Sequence, residues 1–348
     1  MGMFTWCRKQ KASIIFLQET HSTADKEKQW KAEWGAPIEF AHGSSSARGA
    51  AIPFCSGFDC KIKRKIADPM GRYISIEAEI KDEIFLLFNV YAPNNDSQFA
   101  KFFEQIVNVL KNEDHIYEDR MIIGGDLNYP LNPSLDKMGG LLKTRKKIVD
   151  QIENMQNLFN VHDVWRIKHP SQKSLTWSQK SPFIFCRLDY WLISDSLYDV
   201  VGNVDIIPAI KTDHSAIILQ LHKIEEGLKG PGFWKMNSSI LNDATYIDEV
   251  KKKVLIWGEE AKDISDKRVT WDLIKYNVRL FSIDYSKKRA KANREEEKRM
   301  QKKYQDAQAN FEKNPSFETR KALEECKMGI ERFYDKKTEG IILRSRAR

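Results

Sequence analysis

Asp126 and Asn128 stand two residues apart in Gly125-Asp126-Leu127-Asn128, directly after the apolar run Met121-Ile122-Ile123. That spacing puts a carboxylate and a carboxamide on one face where a buried strand ends. The preceding Gly124-Gly125 lets the backbone come close to a ligand. An acid beside an amide is suited to orienting a water next to a phosphate and a metal. Gly-Asp-x-Asn is also an ordinary turn sequence, so the tetrapeptide needs support from elsewhere in the chain.

Other strand ends supply it. Ile14-Ile15-Phe16-Leu17 runs into Gln18-Glu19-Thr20, an apolar stretch that stops at a lone carboxylate. Asp189 lies inside the β-prone run Leu188 to Ile193, where an acid costs free energy unless a cation or hydrogen bonds hold it. Asp213-His214 precedes Ser215-Ala216-Ile217-Ile218-Leu219 and sets an acid and a titratable imidazole at one sheet edge. Phe85 to Tyr91 ends in a Tyr, with Asn94 just beyond the Pro93 that forces the chain out of the sheet. Each has a plain structural alternative. Glu19 could cap a helix, Asp189 could pair with Arg187 two residues earlier, His214 could be a satisfied structural histidine, and Tyr91 could be a core aromatic with its hydroxyl at the rim. Independent alternatives at so many strand ends multiply to a small joint chance.

In this order the residues resemble the endonuclease/exonuclease/phosphatase superfamily, close to exonuclease III-type apurinic/apyrimidinic endonucleases. The matching segments are Leu17-Gln18-Glu19-Thr20, Tyr91-Ala92-Pro93-Asn94, Gly125-Asp126-Leu127-Asn128, Leu175-Thr176-Trp177, Arg187-Leu188-Asp189-Tyr190 and Asp213-His214-Ser215, spread over residues 4–222. Ser44 to Pro53, with Arg48-Gly49, and Gly230 to Asn237 are similar to the endonuclease domain and following linker of non-LTR retrotransposon polyproteins.

The resemblance implies a phosphodiesterase acting on DNA with Mg²⁺ or Mn²⁺ and without an organic cofactor. Glu19 would be a metal ligand, since hard carboxylate oxygen suits that ion, with Asp126, Asn128 and Asp213 contributing at the metal. Asp126 would position or deprotonate the attacking water, and Asn128 would hold it or the phosphate. His214, polarised by Asp189, would contact a non-bridging phosphate oxygen and stabilise the developing charge. Tyr91 would hydrogen-bond the phosphate or the leaving oxygen. Asn94, Thr176 and Trp177 would line the DNA-binding groove. The setting implied is intracellular and nuclear. One family feature has no counterpart: an opening strand that ends in an Asn. Residues 1–11 fit the later part of the helix that follows it, and no Asn precedes Glu19. With that central strand missing, the chain is expected to be poorly soluble or molten and less active than an extended form.

These residues need a scaffold, and the pattern predicts a four-layer α/β/β/α sandwich of the deoxyribonuclease I-like kind, less one strand. Strands are expected near 13–18, 49–54, 58–66, 73–80, 84–91, 120–125, 175–178, 184–193, 203–207 and 215–222, with helices at 97–112 and 144–160. At 348 residues and 41% hydrophobic, the chain can hold one large core plus an appendage. The five cysteines have no metal-ligand spacing and read as reduced thiols, and no apolar run is long enough to span a bilayer.

Charge divides the chain. Residues 1–222 hold 27 Lys and Arg against 27 Asp and Glu, so the net +8 lies wholly in residues 223–348. Glycines and a proline near 223–232 predict a linker, followed by a basic helical region over 233–348 with helices at 243–257, 271–299, 300–314 and 316–337. That region reads either as a basic helix on nucleic-acid phosphates or as a solvated arm held by i,i+4 pairs. Two other functions compete with a DNA endonuclease: a phosphatase of the same superfamily, and a degenerate, non-catalytic nucleic-acid-binding domain.

Overall fold

The computed structural model describes residues 2–111, 120–140, 146–179, 181–209, 212–222, 236 and 238–346. The chain falls into two compact units, one of Met3–Glu225 and one that includes Glu226–Arg348. The linker expected at 223–232 lies outside the described residues.

The first unit begins with α1 (Met3–Lys9), α2 (Glu27–Trp34), β1 (Ile38–Ala41), β2 (Ala50–Pro53), β3 (Lys61–Ala67), β4 (Tyr73–Ile80) and β5 (Glu83–Tyr91). There follow α3 (Asp96–Lys111), β6 (Met121–Asp126), α4 (Pro133–Asp136), β7 (Lys137–Met138), α5 (Lys146–Phe159), β8 (Val161–Asp163) and α6 (Val164–Lys168). It closes with β9 (Trp177–Gln179), β10 (Ile184–Cys186), β11 (Asp189–Ser194), β12 (Val201–Pro208) and β13 (Ser215–Leu221). One six-stranded sheet in the order β3-β4-β5-β6-β11-β8 forms the frame, antiparallel except for the parallel β5–β6 pair.

Its inner strands β4, β5, β6 and β11 are mostly buried on both faces because their residues alternate between two cores, whereas the edge strand β3 is exposed over Lys61 to Lys65. Leu86, Phe88 and Val90 of β5 pack with Phe99, Phe102, Phe103 and Ile106 of α3 and Ile148, Ile152 and Met155 of α5. Leu87 of the same strand faces the other way, toward Ala50, Ile52, Ile193, Val201 and Val204. Outside β1, Phe4 of α1 packs on Trp30 and Trp34 of α2, and Trp30 packs on Phe40. Four layers result, as the sequence predicts.

The second sheet departs from expectation. It is split into two separate pairs, β1–β2 and β12–β13. Residues 13–18, expected as a strand, make only the isolated bridges Ile14↔Phe54 and Leu17↔Ala51. The Ile15 N–H donates to the Pro53 carbonyl at 3.0 Å, but a proline has no N–H to return the bond and extend the ladder. The run 184–193 is likewise two strands, β10 and β11, and β10 belongs to a small sheet with β7 and β9.

The second unit contains α7 (Ala244–Glu260), α8 (Lys267–Lys313) and α9 (Phe317–Arg346). The break expected between residues 299 and 300 is absent: α8 is one helix of 47 residues. No Gly or Pro lies between Lys267 and Lys313 to interrupt it.

Candidate active site

Parallel pairing of β5 with β6 and antiparallel pairing of β6 with β11 set Tyr91 opposite Asp126, and Asp126 opposite Asp189. Three of the expected residues therefore meet at one end of the central sheet. Asp126 is 5% exposed, and its Oδ1 accepts the Asn128 N–H at 2.8 Å. Burial, then the neighbouring Asp189 carboxylate, holds the Asp126 pKa well above the usual carboxylate range. Asp189 Oδ2 lies 2.9 Å from Nδ1 of His214. Burial opposes a charge on His214, but attraction to Asp189, the hydrogen bond to it, and the fields of Asp126 and Asp213 outweigh that and push the imidazole up to about 9. The expected acid–imidazole pair is present, with the imidazole favoured in its charged form at neutral pH.

Glu19 comes to the same place by another route. It is exposed, has a left-handed φ of 49°, and accepts the Tyr91 hydroxyl hydrogen bond. Burial and that bond to Glu19 raise the Tyr91 phenol, so it stays a donor at any ordinary pH. Glu19 also adds to the negative field at Asp126. Asn89, fully buried on β5, ties the segment down. Its Nδ2 donates to the Leu17 and Ala51 carbonyls, each at 3.0 Å, and its Oδ1 accepts from Gln18 Nε2 at 2.6 Å. Sequence reading assigned Asn89 no role, although a carboxamide inside an apolar run is a signal that something there must be bonded.

The remaining expected residues take varied places. Asn128 has a left-handed φ of 50°, and its Nδ2 donates to the Ala92 carbonyl at 2.7 Å, joining the loops after β5 and β6. Asp213 Oδ2 accepts from the Trp177 indole N–H at 2.9 Å, and Trp177 bridges to His214. Asn94 is exposed in the loop between β5 and α3. Thr176, expected on the groove wall, is 1% exposed. Its hydroxyl accepts the Leu188 and Asp189 N–H groups at 3.0 and 3.2 Å, so it lies beneath the site and sets where Asp189 starts.

Two sequence readings change. Arg187 does not pair with Asp189. It is buried and donates from Nε and Nη2 to Asp136 at 2.9 and 3.0 Å and from Nη2 to Asp163, while Arg166 also donates to Asp136. Nor do the two glycines before Asp126 leave room for a ligand. A Cβ on Gly124 would lie 2.1 Å from the Trp191 ring, and one on Gly125, at φ +135°, 2.0 Å from the Val90 carbonyl oxygen. Both make room for the protein's own packing.

Among the described residues no three His, Cys, Asp or Glu side chains converge as a ready-made metal cage. Mg²⁺ does not need one, since it binds through one or two carboxylates and keeps several waters. Glu19, exposed and hard in its donors, with Asp126 beside it, fits that requirement.

No family model matches the chain. Solved structures that resemble it include two AP endonucleases. The AP endonuclease LMAP from Leishmania major matches with a TM-score of 0.55 and 16% identity, covering 63% of this chain and 81% of that one. An AP endonuclease from Archaeoglobus fulgidus matches with a TM-score of 0.52 and 18% identity, covering 64% and 93%. The chain shares the four-layer α/β/β/α fold of these two proteins. Its sequence is also 26% identical, over 287 residues and 82% of its length, to the Transposon TX1 uncharacterized 149 kDa protein of Xenopus laevis. The match spans 22% of that protein. The matched stretch of 287 residues is longer than the first unit, Met3–Glu225. Among the described residues no helix is long and apolar enough to cross a membrane.

Proposed function

We propose that this chain is a metal-dependent DNA endonuclease of a non-LTR retrotransposon, hydrolysing a phosphodiester bond of chromosomal DNA in the nucleus. The observation that carries the reading is the Asp189–His214 pair beside buried Asp126, with Glu19 and Tyr91 across the same strand ends.

The geometry divides the labour. His214, held protonated by Asp189, places a cation where a non-bridging phosphate oxygen gathers charge. Tyr91 keeps its proton, now given to Glu19, and would turn it to the phosphate or the leaving oxygen when the Glu19 carboxylate is engaged by metal. Burial and the neighbouring Asp189 raise the Asp126 pKa, which makes its carboxylate a stronger base toward the attacking water. Glu19 with Asp126 would hold Mg²⁺ or Mn²⁺, which supplies charge neutralisation at the phosphate. Asn94 and Trp177 lie at the rim, where they would meet the DNA backbone or bases.

Nicking of supercoiled plasmid by the purified chain tests the proposal. Activity is expected with Mg²⁺ or Mn²⁺ and should vanish in chelator and in Asp126→Ala. Binding of DNA without nicking under any divalent cation would favour the non-catalytic alternative. Release of phosphate from small phosphomonoesters without nicking would favour the phosphatase.

A further inference from the structure

We propose that Arg48 is a substrate-positioning residue whose guanidinium takes a phosphate of the bound DNA strand on the Glu19 side of the candidate site. The inference rests on the DNA endonuclease reading and adds a contact to it. Arg48 is half-buried, yet among the described residues its guanidinium has no hydrogen bond and no ion pair. Packed arginines elsewhere in the first unit have acceptors. Arg72 donates from Nε and Nη2 to Asp68 at 2.7 and 3.0 Å and from Nη2 to Gln105 at 3.1 Å. Arg187 and Arg166 converge on Asp136. A cation held partly out of water without an acceptor is unfavourable, so an anion that arrives there relieves a cost already present.

The backbone fixes where Arg48 stands. Its carbonyl accepts the His21 N–H at 2.8 Å, and the Gly49 carbonyl accepts the Thr20 N–H at 3.0 Å, so the turn is bonded to the residues directly after Glu19. On the other side the Gly49 N–H donates to the Gly71 carbonyl at 3.0 Å. The packing is close: a Cβ on Gly49 would lie 2.4 Å from Thr20 Oγ1, and one on Gly43 2.6 Å from the Arg48 carbonyl carbon. Arg48 has a left-handed φ of 63°, and Glu19 and His21 across the turn each have 49°. That conformation is costly for residues with a Cβ, persists only where the surroundings impose it, and gathers at ligand sites. The Arg48 charge also acts on the Tyr91 hydroxyl, lowering its pKa against the larger raising effects of burial and Glu19. A field that falls with distance places the guanidinium on the Tyr91 side of the turn.

The neighbouring groups select the ligand. Glu19 is the nearest acid along the chain, and it accepts from Tyr91 rather than from Arg48. Its carboxylate is thereby left for a metal, and the guanidinium for another anion. His214, paired with Asp189, supplies a cation at the other end of the site. A DNA strand crossing the strand ends would then meet a positive group on each side of the carboxylates. The planar fork of an arginine matches two oxygens of one phosphate, which fixes orientation as well as adding affinity.

Fluorescence anisotropy of the full chain with a labelled DNA duplex, without metal and across a salt series, separates this contact from catalysis. Arg48→Asn removes the charge and keeps a residue that accepts a left-handed φ, so the turn and the melting temperature should be preserved. Affinity should fall about tenfold, and the slope of log Kd against log salt should drop by about 1, the loss of one phosphate contact. Arg48→Lys keeps a point charge without the fork, so it should recover the slope and only part of the affinity. In plasmid nicking, Arg48→Asn should raise KM about tenfold with turnover at saturating DNA and the Mg²⁺ requirement nearly unchanged. Unchanged affinity and slope in Arg48→Asn overturn the proposal. So does a lowered Mg²⁺ requirement without loss of DNA affinity, which would make Arg48 the counter-ion of Glu19. A wild-type chain that binds DNA through Arg48 but nicks none would overturn the endonuclease reading and leave this contact standing.

Discussion

The two sides of the candidate site reach the same strand ends by opposite means. Asp126 and Asp189 are fixed by sheet register and burial, His214 is held by Asp189, and the titration of Asp126 and His214 is shifted by burial and the charges around them. Glu19 is exposed on a segment with only isolated bridges, held in place from below by Asn89. The difference follows from the tasks proposed for them. A general base and a phosphate-facing cation gain strength from a dry, preorganised setting. A cation that arrives with its waters needs an open side. Predictions about the first side therefore concern electrostatics, and predictions about the second concern metal affinity.

The largest effects should come from the buried side. Asp126→Asn is expected to lower nicking by about 10³-fold or more, since it removes the base and a metal oxygen together. The same substitution should raise stability. A carboxyl whose folded pKa lies above its unfolded value favours folding when protonated and opposes it when ionised at neutral pH, so a neutral isostere relieves that cost. Each kcal/mol so gained would raise the melting temperature by about 2–4 °C. His214→Ala, Asp189→Ala and the double variant should lose similar activity because the pair acts as a unit. Additive losses would break the pairing.

On the open side, Glu19→Gln should shift the Mg²⁺ requirement upward by about tenfold or more, with a smaller effect on turnover at saturating metal. Asn89→Asp tests the tether without emptying its space, because an aspartate cannot donate to the Leu17 and Ala51 carbonyls. Its signature should be the same shift in metal requirement. If Asn89→Asp lowered turnover with the metal requirement unchanged, the two sides would not be separable in this way.

A milder effect should appear with pH. His214 is raised to about 9, so its cation, and the stability it contributes, is fully present below about 6.5 and is lost as pH rises through about 9. Nicking should fall roughly tenfold per unit above that point. In Asp189→Asn the attraction is gone, and the alkaline limb should move to lower pH. A limb that stays put would show that some other group sets it.

Much of this was legible in the sequence because strand ends are local. An apolar run stopping at Glu19, Asp126 or Asp189 can be read from neighbours alone, and so can the helical spacing of α3 and α5. What escaped was decided at long range. Arg187 sits two residues before Asp189, yet its partners are Asp136 and Asp163, which no spacing rule connects to it. Residues 13–18 have the composition of a strand, but the partner segment has no N–H at Pro53 to join the Ala51–Leu17 and Cys55–Ser13 hydrogen bonds into a ladder. β1 and β8 are four and three residues long, too short for an alternation to show. Thr176 reads as a groove residue by position, and only the fold shows its hydroxyl oxygen spent on the Leu188 and Asp189 amides.

That last residue gives the smallest predicted effect and the sharpest check on how the buried side is built. Thr176→Val keeps the volume but leaves the buried Leu188 and Asp189 N–H groups without an acceptor, which should cost about 1–3 kcal/mol of stability. Thr176→Ser restores the hydroxyl and should recover most of it. Because the hydroxyl lies under Asp189 and away from the rim, DNA affinity should be the same in all three proteins, whereas Trp177→Ala at the rim should weaken it. Turnover of Thr176→Val should drop several-fold through Asp189 alone, and the drop should disappear in a His214→Ala background, where Asp189 has no imidazole left to orient. A Thr176→Val defect of equal size in that background would place the residue outside the Asp189–His214 unit, and the buried side would then owe its order to the strand register alone.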